Sequence, residues 1–286
     1  MIRADFHTHT TFCDGKSTPR EMVESAYRKG FIDFGISGHA DFTMYEAGFG
    51  MTDEKMEQYK KELYALREEY AGRMNLYIGI ELDILGPLQK AEYAIGSVHC
   101  VEKNGEVLCV DDTEEKLVDG VNRLWQGDWY GMAKDYFEMV SRVYDVTHCD
   151  WVGHFDLLTK FNENPDGSFR YFDATRDAFL EPALAAMKRL NGQGLPFEIN
   201  TGAISRGYRS VPYPSKFLLK ELKSMGGRII LSSDSHSVEN IGYGFDSAVK
   251  LARECGFTHS CVLKPGGGFR EVDLKEAESA VPLKRL

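Results

Sequence analysis

The stretch DFHTHTTFCDG, residues 5–15, begins as a short apolar run and continues into two histidines separated by one residue. Successive side chains of an extended strand point to opposite faces, so His7 and His9 lie on the same face and can converge on one point. Imidazole is the commonest neutral metal ligand, and Asp14 adds a carboxylate nearby. His-x-His also occurs among ordinary surface or core histidines, so this motif alone does not establish a metal site. The rest of the chain must show whether one exists.

The same pattern, an apolar run that ends on a possible metal ligand, recurs along the chain. The runs at residues 31–37, 76–80, 93–98, 151–153 and 228–233 lead to His39, Glu81, His99, His154, and Asp234 with His236. Helical patterns separate the runs, as at residues 18–29, where Thr18 and Glu21 have the spacing of a capping box ahead of Gly30. Strands that alternate with helices predict a parallel sheet.

The number of strand and helix units favours closure of this sheet into a TIM-like barrel, in a single α/β domain over residues 1–286. In such a barrel the functional side chains gather at the carboxyl ends of the strands. All the candidate ligands lie at such ends, so we expect them to face one cavity. Residues 100–147 interrupt the alternation and predict a lid-like excursion over that cavity.

Composition excludes several other classes of function. The formal net charge of −10 argues against nucleic acid or an anionic membrane surface as a partner. We find neither a signal peptide nor an apolar stretch near the roughly 20 residues that span a bilayer. The six cysteines form no C-x-x-C pair and favour a reducing compartment over a disulfide framework. We therefore expect a cytoplasmic protein, while its oligomeric state stays open.

The candidate ligands are too many for one metal ion. They are His7, His9, Asp14, His39, Glu81, His99, His154, Asp234 and His236. At about three or four protein ligands per ion, they would hold about two or three divalent cations, with positions left for water and substrate. A carboxylate can bridge two ions, and Glu81 and Asp234 are the natural candidates.

In their order along the chain, these motifs resemble the PHP (polymerase and histidinol phosphatase) phosphoesterases. The matching pieces are HTH at 7–9 with Asp14, GHAD at 38–41, GIE at 79–81, SVH at 97–99, GH at 153–154 and SDSH at 233–236. The pieces SVH, GHFD at 153–156, EINT at 198–201 and GYGF at 242–245 are most similar to the histidinol-phosphatase branch. The resemblance implies a distorted TIM-like (β/α)7 barrel with a trinuclear metal site.

The resemblance also implies which residues hold each ion. The first ion would take His7, His9, Glu81 and Asp234, the second Glu81, His99 and His154, and the third Asp14, His39 and His236. The family uses Zn, Mn or Fe, and a set of nitrogen and oxygen ligands does not choose among them. Two ions that share a water bring its pKa near neutrality, so a metal-bridging hydroxide held by Glu81 and Asp234 is the expected nucleophile.

The implied reaction is hydrolysis of a small phosphate monoester, with L-histidinol phosphate of histidine biosynthesis as the best single substrate. Lys160, Arg206 and Arg209 follow predicted strand ends, where they are expected to bind phosphate, although solvated surface charges are the alternative. An amine or imidazole on the substrate would need a carboxylate, for which the candidates are Asp41, Glu46 and Asp156.

Other functions are weighed against this hypothesis. A PHP nuclease or oligonucleotide phosphoesterase is disfavoured by the acidic charge. A non-catalytic metal-binding domain is an alternative because PHP domains attached to polymerases can be inactive, but nothing else in this chain would carry a function. Amide-hydrolysing metal barrels also begin with His-x-His, yet Glu81 and the absence of a matching lysine ligand disfavour them.

Overall fold

The computed structural model describes residues 2–42 and 49–275. The strands are β1 (Ala4–Asp5), β2 (Asp33–Ile36), β3 (Asn75–Asp83), β4 (Tyr93–Ser97), β5 (Cys100–Lys103), β6 (Glu106–Cys109), β7 (Trp151–Val152), β8 (Pro196–Asn200), β9 (Arg228–Ser232), β10 (His259–Leu263) and β11 (Phe269–Asp273). The helices are α1 (Pro19–Arg28), α2 (Asp53–Glu69), α3 (Glu114–Trp125), α4 (Trp129–Val140), α5 (Val143–Thr147), α6 (Asp177–Gly192), α7 (Gly202–Ser205), α8 (Lys216–Ser224) and α9 (Phe245–Glu254). None of the helices in these ranges is long and apolar enough to cross a membrane.

A mostly parallel sheet organises the described part of the chain, with strand order β1-β2-β3-β4-β7-β8-β9-β10-β11. Neighbours from β1 to β10 run parallel, and β10 with β11 runs antiparallel. The α/β fold expected from the alternating pattern is therefore confirmed. An isolated parallel bridge joins Thr8 to Ser235, so the segments that follow β1 and β9 lie side by side. Complete closure into a seven-unit barrel stays a prediction.

The parallel strands are buried along most of their length, as a parallel sheet covered on both faces requires. Every residue of β2 and of β8 is buried. Aromatic side chains also tie strands together, since the Tyr93 hydroxyl donates to the Phe6 carbonyl at 2.6 Å and the Tyr93 ring stacks on Trp151 at 5.2 Å. This packing fixes the strand ends from which the candidate ligands project.

Helix α1 begins as the sequence predicts. The Thr18 hydroxyl accepts the Glu21 amide, while the Glu21 carboxylate accepts the Thr18 amide at 2.8 Å, which completes the capping box. Pro19 occupies the first turn, where its missing N–H costs no hydrogen bond. Gly30 follows the helix with φ of 83°, the left-handed conformation that glycine adopts without strain.

The excursion at residues 100–147 consists of the β5–β6 hairpin and helices α3 to α5, inserted between β4 and β7. A disulfide joins Cys100 to Cys109, which are register partners across the hairpin. This pair departs from the expectation that the cysteines favour a reducing compartment over a disulfide framework. The turn between the strands is Asn104-Gly105, both with positive φ, and Asn-Gly is the strongest short-range hairpin signal. The remaining cysteines, Cys13, Cys149, Cys255 and Cys261, are free.

In the last connection, residues 238–255 do not form one continuous helix. The chain instead forms a 3₁₀ turn at Val238–Asn240, and α9 begins only at Phe245. The physical reason is that Gly242 and Gly244 have φ of 68° and 71°, outside the helical region. Strand β11 was not predicted; a left-handed turn at residues 266–268 connects it to β10.

Candidate metal centre

The nine candidate ligands lie together at or beyond the carboxyl ends of the strands. Their ligand atoms form four overlapping groups, with the atoms of each group within 4.8 Å of one another. The groups are His9, Asp14, His39 and His236; His7, Glu81 and His154; His7, His9 and Asp234; and His39, Glu81 and His99. Each group has the donor types and the spacing to hold a metal ion. Side chains from distant parts of the sequence thus share one site.

Glu81 stands at the centre of these groups. Its Oε1 lies 2.8 Å from His154 Nε2 and 3.3 Å from His99 Nε2. Its Oε2 lies 3.0 Å from His39 Nδ1 and 3.1 Å from His7 Nε2. Burial opposes the charge on Glu81, but the surrounding histidines hold the pKa of this carboxyl well below its usual range. Both oxygens of an ionised carboxylate therefore face nitrogen ligands.

Asp234 is the second buried carboxylate of the centre. Its Oδ1 lies 3.4 Å from His9 Nε2, and its Oδ2 accepts a hydrogen bond from the Arg206 guanidinium at 3.1 Å. Its φ of 49° is left-handed, a conformation that is uncommon outside glycine and is concentrated at functional sites. A Cβ at Gly202 would lie 2.7 Å from Asp234 Oδ2, so glycine there leaves room for the carboxylate.

The group around Asp14 is more accessible than the one around Glu81. The Asp14 side chain is 30% exposed, compared with 1% for Glu81. Asp14 Oδ2 lies 3.0 Å from His236 Nε2, and Asp14 Oδ1 lies 3.7 Å from His39 Nε2. The His236 ring stacks on His9 at 4.2 Å. The candidate centre therefore has a sealed inner part and an outer part that opens to solvent.

Two carboxylates that the sequence analysis did not assign orient the histidines. His7 Nδ1 donates to Glu198 Oε1 at 2.7 Å, and His99 Nδ1 donates to Asp83 Oδ2 at 3.1 Å. Such bonds fix the tautomer and leave each Nε2 free to bind a metal, facing Glu81. A sequence signal existed for Asp83, because it follows Glu81 by two residues in β3 and so points to the same side.

The buried nitrogen atoms of the site fit a bound cation. Within the described residues, His9 Nε2 and His154 Nδ1 are buried without a hydrogen-bond partner. Buried polar atoms are normally satisfied, and a cation beside His9 Nε2 would satisfy that atom. Cys13 Sγ lies 3.5 Å from His9 Nδ1, but burial raises the pKa of this thiol to about 12, so it is not a thiolate. The set therefore suits a divalent ion bound through nitrogen and oxygen.

A cavity of about 530 Å³ opens over the centre, within the usual size range of small-molecule sites. Its apolar lining consists of Phe42, Phe49 and Leu157, and its cationic lining includes Lys160 and Arg206. The excursion adds Cys109, Asp111, Asp112 and Lys116. The candidate ligands, two cations that are predicted to bind phosphate, and a charged segment outside the main sheet therefore border the same cavity.

Both of these cations are held by defined contacts. The Lys160 ammonium donates to the Asp111 carbonyl and lies 4.6 Å from the ring centroid of Tyr208. The Arg206 guanidinium donates to the Asp234 carbonyl at 2.8 Å as well as to its carboxylate. Because a guanidinium has five N–H donors, Arg206 keeps donors for a ligand. The expectation that these two residues reach the cavity agrees with their positions.

Arg209 lies elsewhere. It lines a neighbouring cleft of about 470 Å³ instead of the cavity over the centre. Its guanidinium donates to Thr159 Oγ1 at 2.5 Å and stacks over the ring of Tyr213 at 4.7 Å. Arg209 is therefore not part of the cavity lining over the centre, and its role in phosphate binding stays a prediction.

Two of the three carboxylates expected to face a substrate amine, Asp41 and Asp156, do not line the cavity either. Asp156 is 1% exposed and accepts the Ser215 amide at 3.1 Å, so it is directed into the protein. Asp41 is half-buried outside the cavity lining, and Glu46 lies outside the described residues. Among the described residues, the carboxylates that line the cavity apart from the candidate ligands are Asp111 and Asp112.

Comparison with known proteins agrees with the geometry. A protein named "Probable histidinol-phosphatase" from Deinococcus radiodurans is 28% identical over 265 residues, covering 88% of this chain and 93% of that protein. The histidinol-phosphatase of Bacillus subtilis is 22% identical over 272 residues, covering 86% and 98%. The crystal structure of histidinol phosphate phosphatase from Lactococcus lactis, complexed with zinc, L-histidinol and phosphate, shares the fold with a TM-score of 0.66 at 20% identity, over 91% of this chain and 96% of that one. The PHP domain family matches residues 5–202, more than half of the sequence, and the chain belongs to this family.

Proposed function

We propose that this protein is a metal-dependent phosphatase that hydrolyses L-histidinol phosphate to L-histidinol and phosphate. The observation that carries the proposal is the convergence of four ligand groups beneath a cavity that also presents Lys160 and Arg206. The substrate follows from the relatives named as histidinol-phosphatases, which this chain matches over nearly their whole length. The Lactococcus lactis protein, complexed with L-histidinol and phosphate, supports the same choice.

We assign about two or three divalent ions, Zn, Mn or Fe, to the centre. His7, His9, Glu81 and Asp234 would hold the first, Glu81, His99 and His154 the second, and Asp14, His39 and His236 the third. The overlap of the groups at His9 and His39 supports closely spaced ions. When bound, such ions lower the pKa of water towards neutrality and neutralise phosphoryl oxygens.

The chain's own side chains would orient the reactants. Burial opposes charge on Asp234, but Arg206 and the nearby histidines hold its pKa well below the usual range, so it stays ionised. Arg206 then has a double task, because it fixes Asp234 and offers its remaining N–H groups to the phosphate. Lys160, which also lines the cavity, would bind phosphate as a point charge. Phe49, which stacks on His39 at 4.3 Å, keeps water from one side.

A substrate screen tests this function. Purified protein loaded with Mn, Zn or Fe would be offered L-histidinol phosphate, other small phosphomonoesters and single-stranded DNA, and released phosphate or cleaved strands would be measured. We expect the highest kcat/KM for L-histidinol phosphate. Faster cleavage of DNA would establish the nuclease alternative, and no turnover with any metal would establish a non-catalytic metal-binding domain.

We also infer that the sheet closes into a distorted (β/α)7 barrel and that residues 100–147 act as a lid. The bridge between Thr8 and Ser235 supports closure. The lid is supported by the residues of the excursion that line the cavity. Hydrogen exchange with and without phosphate tests the lid: slower exchange in 100–147 on phosphate binding is expected, and an unchanged rate would contradict it.

A further inference from the structure

Asp111 has a main chain that is held on two sides. The preceding residue, Val110, donates its amide to the His99 carbonyl at 2.8 Å, and the Lys160 ammonium donates to the Asp111 carbonyl. The disulfide that closes the β5–β6 hairpin ties the same segment to the residue after His99. Asp111 is thus fixed next to a candidate metal ligand and to a candidate phosphate-binding cation.

The Asp111 carboxylate, in contrast, is unpaired. Within residues 2–42 and 49–275 no hydrogen bond or ion pair engages it, although the side chain is half-buried and lines the cavity. The neighbouring Asp112 also lines the cavity, but Lys116 Nζ lies 2.5 Å from its Oδ2. A partly desolvated carboxylate is unfavourable without a cation, so Asp111 is ready to bind a positively charged ligand group.

The charge of Asp111 also acts on the neighbouring cation that is expected to bind phosphate. Burial lowers the pKa of Lys160, and Asp111 opposes that shift. The carboxylate therefore lies within electrostatic reach of the phosphate-binding side of the cavity.

We propose that Asp111 binds the ammonium group of the substrate and thereby selects phosphate monoesters that carry an amine beside the ester carbon. The inference rests on the proposed phosphatase function. L-Histidinol phosphate has its amine on the carbon next to the esterified one, so a phosphate held at the centre brings the ammonium to the adjoining lining. There Asp111 is the described carboxylate without a partner, since Lys116 neutralises Asp112.

The test compares two neighbouring variants on two esters. Asp111→Asn removes the free charge, and Asp112→Asn removes the paired one. The esters are L-histidinol phosphate and its amine-free counterpart, 3-(imidazol-4-yl)propyl phosphate. We expect Asp111→Asn to lower kcat/KM roughly 10- to 100-fold for the amine-bearing ester, the range of a charge-assisted hydrogen bond, and less than about threefold for the amine-free ester.

Further measurements separate selectivity from damage to the fold. Asp112→Asn should leave the ratio of the two kcat/KM values unchanged, and Asp111→Glu, which keeps the charge, should retain part of the preference. Calorimetry should show that Asp111→Asn weakens the binding of L-histidinol but not of 3-(imidazol-4-yl)propanol. Metal content and melting temperature should match those of the wild type.

Two outcomes would overturn the inference and leave the proposed function intact. One is a wild type that hydrolyses both esters with equal kcat/KM. The other is an Asp111→Asn variant that loses the same factor on both, because Asp111 would then serve the shared phosphate chemistry. A wild type that hydrolyses neither ester in any metal-loaded form would instead refute the phosphatase function itself.

Discussion

Two sides of one cavity are built in different ways. The ligand floor, formed by the nine candidate ligands, projects from the ends of buried parallel strands and the turns that follow them. The excursion wall, formed by Cys109, Asp111, Asp112 and Lys116, comes from a hairpin and a helix outside the main sheet. In barrels of parallel strands, catalytic residues lie at the carboxyl ends of the strands, whereas the connecting segments vary in sequence among related proteins. The comparison suggests that the floor determines the reaction and the wall determines the substrate.

The two sides also differ in how their carboxylates are satisfied. Glu81 and Asp234 are enclosed by histidines and an arginine, whereas Asp111 has no partner among the described residues. Damage to the floor should therefore abolish turnover of every ester. Damage to the wall should change which ester is preferred.

The largest expected effect comes from Glu81→Gln in the floor. The amide of glutamine is neutral and has one acceptor oxygen, whereas the Glu81 carboxylate has two charged oxygens. The amide therefore cannot present an acceptor oxygen to the histidine nitrogens on both sides of the group. We expect kcat/KM to fall by at least about 1000-fold for all phosphomonoesters, together with loss of bound metal. Phosphate release and metal analysis measure both, with the exposed Glu115→Gln as the matched control. Activity near that of the wild type would remove Glu81 from the centre.

A smaller effect is expected from the residues that orient the floor. Asp83→Asn and Glu198→Gln each replace a carboxylate that accepts an N–H from a histidine. Removing such a partner costs roughly 10- to 100-fold in metal affinity. Calorimetric titration of metal-free protein with Zn or Mn tests this. Unchanged affinity in both variants would show that His7 and His99 do not need these carboxylates as metal ligands.

The smallest effect on metal binding is expected from the wall. The double substitution Cys100→Ser with Cys109→Ser opens a short closed loop and should lower the free energy of unfolding by about 2–3 kcal/mol. Because Asp111 would be held less firmly, the preference for the amine-bearing ester should weaken while metal content stays the same. Denaturant unfolding with and without dithiothreitol measures the first effect, and the variant itself should not respond to dithiothreitol. Loss of metal in this variant would mean that floor and wall are not independent.

The convergence of the floor residues could be predicted from the sequence for a physical reason. Parallel strands align their carboxyl ends, so a repeated pattern of an apolar run followed by a polar residue is enough to place Glu81 near His154. The wall follows no such rule. The position of Asp111 depends on a hydrogen bond from Lys160, which lies far away in sequence, and on a disulfide that the cysteine spacing did not suggest.

Arg206 and Arg209 also show that position in the sequence does not predict the direction of a side chain, even for two residues close together in the chain. Both follow β8 and its short helix α7, so the sequence alone predicts phosphate binding equally for each of them. The structure directs Arg206 to Asp234 and Arg209 to Thr159, because three residues around a turn are enough to point side chains in different directions. The apolar runs locate the strand ends to within a few residues here, whereas the side-chain directions in the turns beyond them are not predictable.

The most direct test of a catalytic metal centre is phosphate release from L-histidinol phosphate before and after metal removal. Chelator-treated protein, shown to be folded by circular dichroism, would be measured alone and after addition of Mn, Zn or Fe. We predict that turnover disappears on stripping and returns with metal. Release that does not depend on metal, or a reloaded and folded protein that releases no phosphate, would contradict a catalytic role for the ligand floor.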